Sequence, residues 1–150
     1  MAKFKSFMEE ALSEARKAAK RDEVPVGAVI VNQHGRIVAK AGNRIRELTD
    51  PTAHAEILTI RQACKDKRSE RLIGHHIYVT LEPCNMCLHA ILNARISKLY
   101  YGASDTSKAR ESSKILSETL CQKGLSLEIY PNINEYDSEK LLKAFFLTKR

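Results

Sequence analysis

Two short segments carry residue types that could bind a metal and do acid–base chemistry on it. In "DPTAHAEI", Asp50 to Ile57, a histidine and a glutamate, His54 and Glu56, stand one residue apart just after a proline, in what reads as the opening turn of a helix. In "LEPCNMC", Leu81 to Cys87, the cysteines Cys84 and Cys87 form a C-x-x-C pair at a second helix start. That spacing lets two thiolates reach one ion, and the positive end of a helix favours their ionised form. A structural zinc knuckle, a redox dithiol and two buried cysteines are the other readings of the pair. The residues around it, Pro83 and Met86, do not resemble those usual in redox pairs.

Two thiolates make half of a tetrahedral zinc site, so further ligands must come from the remaining histidines and cysteines. His34 falls in a hairpin turn, and His75 and His76 just before a strand. His89 follows Cys84 on the same short helix but points about 140° around it, away from a shared ion. Cys64 lies on an apolar helical face, and Cys121 stands before a Lys-Gly turn. His54 remains, and Glu56 two residues on can hang over the same helix mouth. Two cysteines and one histidine leave one coordination position open, the pattern of a catalytic zinc site, whose bound water has its pKa lowered toward about 7. Glu56 is then the natural proton shuttle.

These residues need a fold that brings them together. The chain has 150 residues, 43% of them hydrophobic, which suits one domain spanning 1–150 with one substantial core. No apolar run is long enough to span a bilayer, and the N-terminal "MAKFKSFMEEALSEARKAAKRDE" is too charged for a secretion signal, so a cytoplasmic protein with no membrane partner is expected. Lys plus Arg outnumber Asp plus Glu by 25 to 18, a net charge of +7. That excess fits a polyanion partner and a merely soluble basic surface equally well. Four cysteines in a reducing compartment argue against a disulfide framework.

The periodicity of Phe4, Phe7, Met8, Ala11, Leu12, Ala15 and Ala18 predicts an amphipathic helix over Phe4 to Ala19. "VPVGAVIVNQHGRIVAKAGN" reads as an antiparallel hairpin of strands Val26 to Val31 and Arg36 to Ala41 around Gly35. A helix over Ala53 to Lys65, capped by Asp50 or Thr52, carries Ile57, Ile60 and Cys64 on a common face. A strand His76 to Leu81 runs directly into Glu82, Pro83 and Cys84, followed by a helix Asn85 to Asn93 and a strand Ile96 to Gly102. A helical pattern around Ile115 to Leu120, a strand Leu125 to Tyr130 and a last helix from Glu135 or Asp137 complete the reading; this helix carries Leu141, Leu142, Phe145 and Phe146. The order predicts an α/β fold: a five-stranded mixed sheet in three α/β/α layers, with both metal-bearing helices side by side on one face.

"HAE" followed by "PCNMC" resembles the H-x-E…P-C-x-x-C signature of the zinc-dependent nucleobase deaminases of the cytidine deaminase-like superfamily. "EVPVGAVIV", "GNR", "DPTAHAEI", "YVTLEPCNMC", "YGASD" and the terminal "FF" with basic residues are similar, in order, to the bacterial tRNA-specific adenosine deaminases. The resemblance implies one zinc ion per chain on His54, Cys84 and Cys87, with zinc-bound hydroxide attacking adenine C6, Glu56 moving protons and inosine as the product at the wobble position. It also implies substrate contacts from Asn43, Val26, Asp105, Phe145, Lys149 and Arg150, a tRNA anticodon stem-loop as partner, and a homodimer. The chain departs from the family after Cys87, where a bulky His89 replaces a glycine, and after Asp105, where Thr106 to Ala109 shift or lose the usual lysine and glycine. A deaminase of a free base or nucleoside, of guanine or cytosine type, would use the same zinc chemistry without needing a basic face. A zinc-stabilised RNA-binding module would need no Glu56 chemistry at all.

Overall fold

The computed structural model describes residues 5–105, 124 and 126–149. Among them the elements run α1 (Met8–Lys20), β1 (Gly27–Val31), β2 (Ile37–Gly42), α2 (Ala55–Lys67), β3 (His76–Leu81), α3 (Asn85–Asn93), β4 (Lys98–Ala103), β5 (Glu128–Tyr130) and α4 (Glu135–Thr148). The strands form one sheet in the order β2-β1-β3-β4-β5. β1 pairs antiparallel with both β2 and β3, whereas β3, β4 and β5 are parallel, so the sheet is mixed and the first hairpin antiparallel, as expected.

Alternation along the central strands builds the two outer layers. Ala28 and Ile30 of β1, with Ile77 and Val79 of β3, join a buried cluster with Ala55 and Ala63 of α2 and Leu88, Ile91 and Leu92 of α3. Val29, Val31 and Tyr78 point the other way and pack with Phe7, Met8, Ala11 and Leu12 at α1. The predicted periodicity of α1 is borne out, since Phe7, Met8, Ala11, Leu12, Ala15 and Ala18 are all buried. Phe4, the helical pattern at Ile115 to Leu120, Leu125 and Cys121 lie outside the described residues.

In two helices small residues take the innermost positions, and in α2 Ile60 and Cys64 pack beside them. In α2 the buried residues are Ala55, Glu56, Thr59 and Ala63, while Ile57, Ile60 and Cys64 are half-buried. Small residues face the sheet because α2 lies close over β1 and β2. In α4 only Ser138 is buried; Leu141, Leu142 and Phe145 are half-buried, and Phe146 is 51% exposed. Ser138 takes the inner position because Gly102 of β4 lets the helix close there, where a Cβ would collide with its hydroxyl.

Gly27 has a similar role at the start of β1. A Cβ there would overlap the Ala11 carbonyl and lie 2.6 Å from the Ala15 nitrogen, so α1 seats on the sheet only with glycine at this position. Gly27→Ala should therefore destabilise the protein by about 1–3 kcal/mol or more, the cost of overpacking a filled core. Urea unfolding followed by circular dichroism checks this, and an unchanged midpoint would contradict it.

Candidate metal and catalytic centre

α2 and α3 begin at the same place on one face of the sheet. His54 and Cys84 are their N-cap residues, both extended, with φ −69 and ψ 152 at His54 and φ −69 and ψ 171 at Cys84. α3 starts at Asn85 as predicted, whereas α2 starts two residues later than predicted, with His54 and not Asp50 or Thr52 at its cap. Asp50 instead accepts bonds from the Thr52 backbone nitrogen (2.8 Å) and hydroxyl (2.7 Å), closing the turn ahead of the helix. The Ala55 N–H at the mouth of α2 donates to Asn43 Oδ1 at 2.8 Å, so a side chain from the end of β2 satisfies the free helix end.

With both helix mouths converging, His54 Nδ1 lies 3.8 Å from Cys84 Sγ and 3.5 Å from Cys87 Sγ. All three donor atoms fall within 4.8 Å of one another. A tetrahedral zinc ion with bonds of about 2.3 Å to sulfur and about 2.0 Å to nitrogen needs such donors about 3.5 Å apart, so the residues fit the metal. Among the described residues no other group of three or more ligand-type side chains meets in this way. His89 turns outward and its Nδ1 donates to the Asn85 carbonyl at 2.7 Å, which accommodates the imidazole without crowding the thiols. His34 and His75 line a cavity of about 400 Å³ with Asp66 and Lys67, away from the cysteines.

A cavity of about 230 Å³ opens beside the three donors, lined by Val26, Asn43, His54, Glu56, Cys84 and Asp105 together with Val24, Ile45, Leu81 and Glu82. Sequence reading missed these last four. Val24 and Ile45 look like ordinary core residues, and only the meeting of their loops puts them on one wall. Glu82 could have been found as the polar residue between strand and C-x-x-C; its carboxylate accepts from the Tyr101 hydroxyl (3.2 Å) and the Asp105 backbone N–H (3.3 Å). Phe145 and Lys149 do not reach this cavity. They line a neighbouring one of about 200 Å³, which shares Val24 and Ile45 as a common wall. Lys149 pairs with Asp22 and sits 5.5 Å over the Phe145 ring. Arg150 lies outside the described residues.

Electrostatics single out Glu56. It is only 4% exposed, and its Oε1 is buried without a hydrogen-bond partner. Burial pushes its carboxyl pKa up from the ordinary carboxylate value. Between the thiols, a hydrogen bond from Cys87, and a further one with His54, draws Cys84 down to about 3 against the opposing effect of burial. The same pairing with Cys84, then burial, pushes the Cys87 thiol far up. Asn43 is 6% exposed; besides its bond to Ala55, its Nδ2 donates to the Val24 carbonyl at 3.2 Å.

Comparison with known proteins gives the same centre a context. The cytidine and deoxycytidylate deaminase zinc-binding region matches residues 1–103. A tRNA-specific adenosine deaminase of Agrobacterium fabrum is 49% identical over 152 residues, covering 100% of this chain and 98% of its own. A solved structure from studies of A-to-I editing by tRNA:A34 deaminases at the wobble position superposes with a TM-score of 0.83 at 49% identity, covering 91% of this chain and 98% of its own. A guanine deaminase of Bacillus subtilis has a TM-score of 0.65 at 37% identity, over 73% of this chain and 70% of its own.

The thiol pair has a measurable consequence. The hydrogen bond between the thiols lowers Cys84 and raises Cys87, so near neutral pH the pair shares one proton. Zinc must displace that proton, so binding should release about one proton from the pair, and apparent affinity should weaken about tenfold per pH unit as pH falls below neutrality. Calorimetry in buffers of different protonation enthalpy reads the release directly; none would contradict the assignment of the two thiols.

Proposed function

The chain belongs to the cytidine and deoxycytidylate deaminase family, and from that membership we propose that it is a zinc-dependent tRNA adenosine deaminase that converts adenosine to inosine at the wobble position of an anticodon. The observation that carries the chemistry is the buried Glu56, with its unpartnered Oε1, lining the same cavity as His54 and Cys84, the donors that Cys87 joins. The whole-length similarity to tRNA-specific adenosine deaminases supports the substrate.

Zinc held by His54, Cys84 and Cys87 supplies a Lewis acid that makes water a nucleophile near neutral pH. Glu56 holds the transferred proton. Its unpartnered oxygen takes a proton from the attacking water, gives it to N1 of adenine, and later delivers one to the departing amine, so that adenosine and water become inosine and ammonia. Asn43 keeps one amide hydrogen and one acceptor lone pair beyond its two bonds, and these hold the edge of the base. Val26 lies against its apolar face. The cavity has room for one heteroaromatic base, which must leave its stack to enter, as bases of single-stranded anticodon loops do.

Asp105 at the rim and Phe145 and Lys149 beyond it take the flanking nucleotides of the anticodon stem-loop, a role that the resemblance extends to Arg150. The net charge of +7 supports a polyanionic substrate over a free base. We read residues 1–150 as one deaminase domain acting as a homodimer. Among the described residues no helix is long and apolar enough to cross a membrane. The free cysteines Cys64, Cys84 and Cys87 suit a cytoplasmic location.

Incubation with a matched tRNA followed by sequencing, in which inosine reads as guanosine, tests the reading. Glu56→Ala should keep its zinc and lose activity by at least about 10²-fold, a typical general acid–base contribution. Retained turnover would remove Glu56 from the mechanism. Affinity for tRNA should fall steeply with salt through counterion release. High, salt-insensitive turnover of free adenosine or guanine would instead favour a free-base enzyme.

A further inference from the structure

We propose that Glu23, which the reaction does not touch, is a positioning residue that sets the affinity for substrate by holding the outer wall of the base cavity. The proposal rests on the deaminase reading above. Glu23 lies just after α1 and is 2% exposed, an unusual place for a carboxylate. Its Oε1 accepts two backbone hydrogen bonds, from Arg46 N–H at 2.8 Å and Glu47 N–H at 3.0 Å.

Those two N–H groups belong to a helical turn opened by Arg44, whose carbonyl accepts from the Leu48 N–H at 3.0 Å. The first N–H groups of such a turn have no partner within it. Glu23 caps them from across the fold, and in doing so it ties Val24, the next residue in its own segment, to Ile45, the residue before Arg46. Val24 and Ile45 form the wall shared by the base cavity and the cavity beneath Phe145 and Lys149.

The ion pairs between the same two segments, Asp22–Arg46 and Arg21–Glu47 (3.7 Å), are partly or largely exposed. The Asp22–Arg46 ion pair spans 3.0 Å, but its side chains are 54% and 70% exposed, so solvent screens it. Arg21 donates to the Asn43 carbonyl at 3.2 Å, at the far end of the segment from Ile45. Asn43 Nδ2, at 3.2 Å from the Val24 carbonyl, holds the Asn43 end of the wall, and the two buried bonds of Glu23 hold its Ile45–Arg46 end. A wall that contacts bound substrate before and during reaction contributes uniform binding, whose loss raises KM and leaves kcat nearly unchanged.

Both bonds go to one oxygen, so an amide oxygen can replace it. Glu23→Gln should stay within about threefold of wild type, whereas Glu23→Ala should raise KM for tRNA about tenfold or more at nearly constant kcat and unchanged zinc content. Glu23→Asp, which keeps the charge but pulls the oxygen back by one methylene, should behave like Glu23→Ala and replaces it if the alanine variant does not fold. Hydrogen exchange supplies a readout independent of turnover: the Arg46 and Glu47 amides should be protected in wild type and Glu23→Gln and exchange faster in the other two. An unchanged KM in Glu23→Ala or Glu23→Asp overturns the proposal. So does a Glu23→Gln enzyme as impaired as Glu23→Ala, because the charge and not the acceptor would then matter. If wild type makes no inosine in tRNA at all, the deaminase reading fails, and the amide exchange still judges the clamp separately.

Discussion

The meeting of two helix mouths at one point above the sheet is the constraint on which the rest of the molecule depends. A helix start leaves backbone N–H groups without partners and carries partial positive charge. Two such starts facing each other create a place where thiolates and a carboxylate can be held close. His54 and Cys84 are the N-cap residues themselves, so ligand positions follow from helix geometry more than from side-chain conformation. The sheet provides the alignment: β3 ends at Leu81 and hands the chain to Cys84, while β2 ends beside Asn43, whose amide bonds the start of α2.

Around that point the protein spends buried polar groups in two different ways. Asn43 and Glu23 each make two hydrogen bonds to backbone, and each joins two chain segments that form the cavity. Glu56 is the contrast, buried with an oxygen left unpartnered. A buried acceptor without a donor costs free energy, so its retention points to a partner that arrives with the substrate and water. Glu23 and Asn43 are thus set apart from Glu56 by the backbone hydrogen bonds they already make.

Much of the architecture was legible beforehand because the local signals were strong. β-branched residues around the Gly35 turn marked β1 and β2, and three- and four-residue spacing marked α1. β5 is shorter than its apolar run, since it lies on the sheet edge, where fewer cross-strand bonds extend it. Helix faces were read less well. The common face of Ile57, Ile60 and Cys64 on α2 is half-buried, whereas the close packing over β1 and β2 admits Ala55, Thr59 and Ala63. For α4, a single Ser138 opposite Gly102 decided which side closes on the sheet, and no hydrophobic periodicity encodes that contact.

The same division holds at the site. Residue types and spacing alone determined the metal-binding set, because zinc's preference for nitrogen and sulfur leaves few candidates in a chain with four cysteines and five histidines. They also pointed to Glu56, two residues from a ligand. What only the tertiary structure decided is the shape around them: that Val24, Ile45 and Glu82 line the cavity, that Phe145 and Lys149 stand in a separate one behind a shared wall, and that Glu23 holds that wall. Metal ligation is chemistry of the individual side chain and can be read from its type. A cavity wall is made by the meeting of loops distant in sequence, and nothing in the local pattern of either loop records the other.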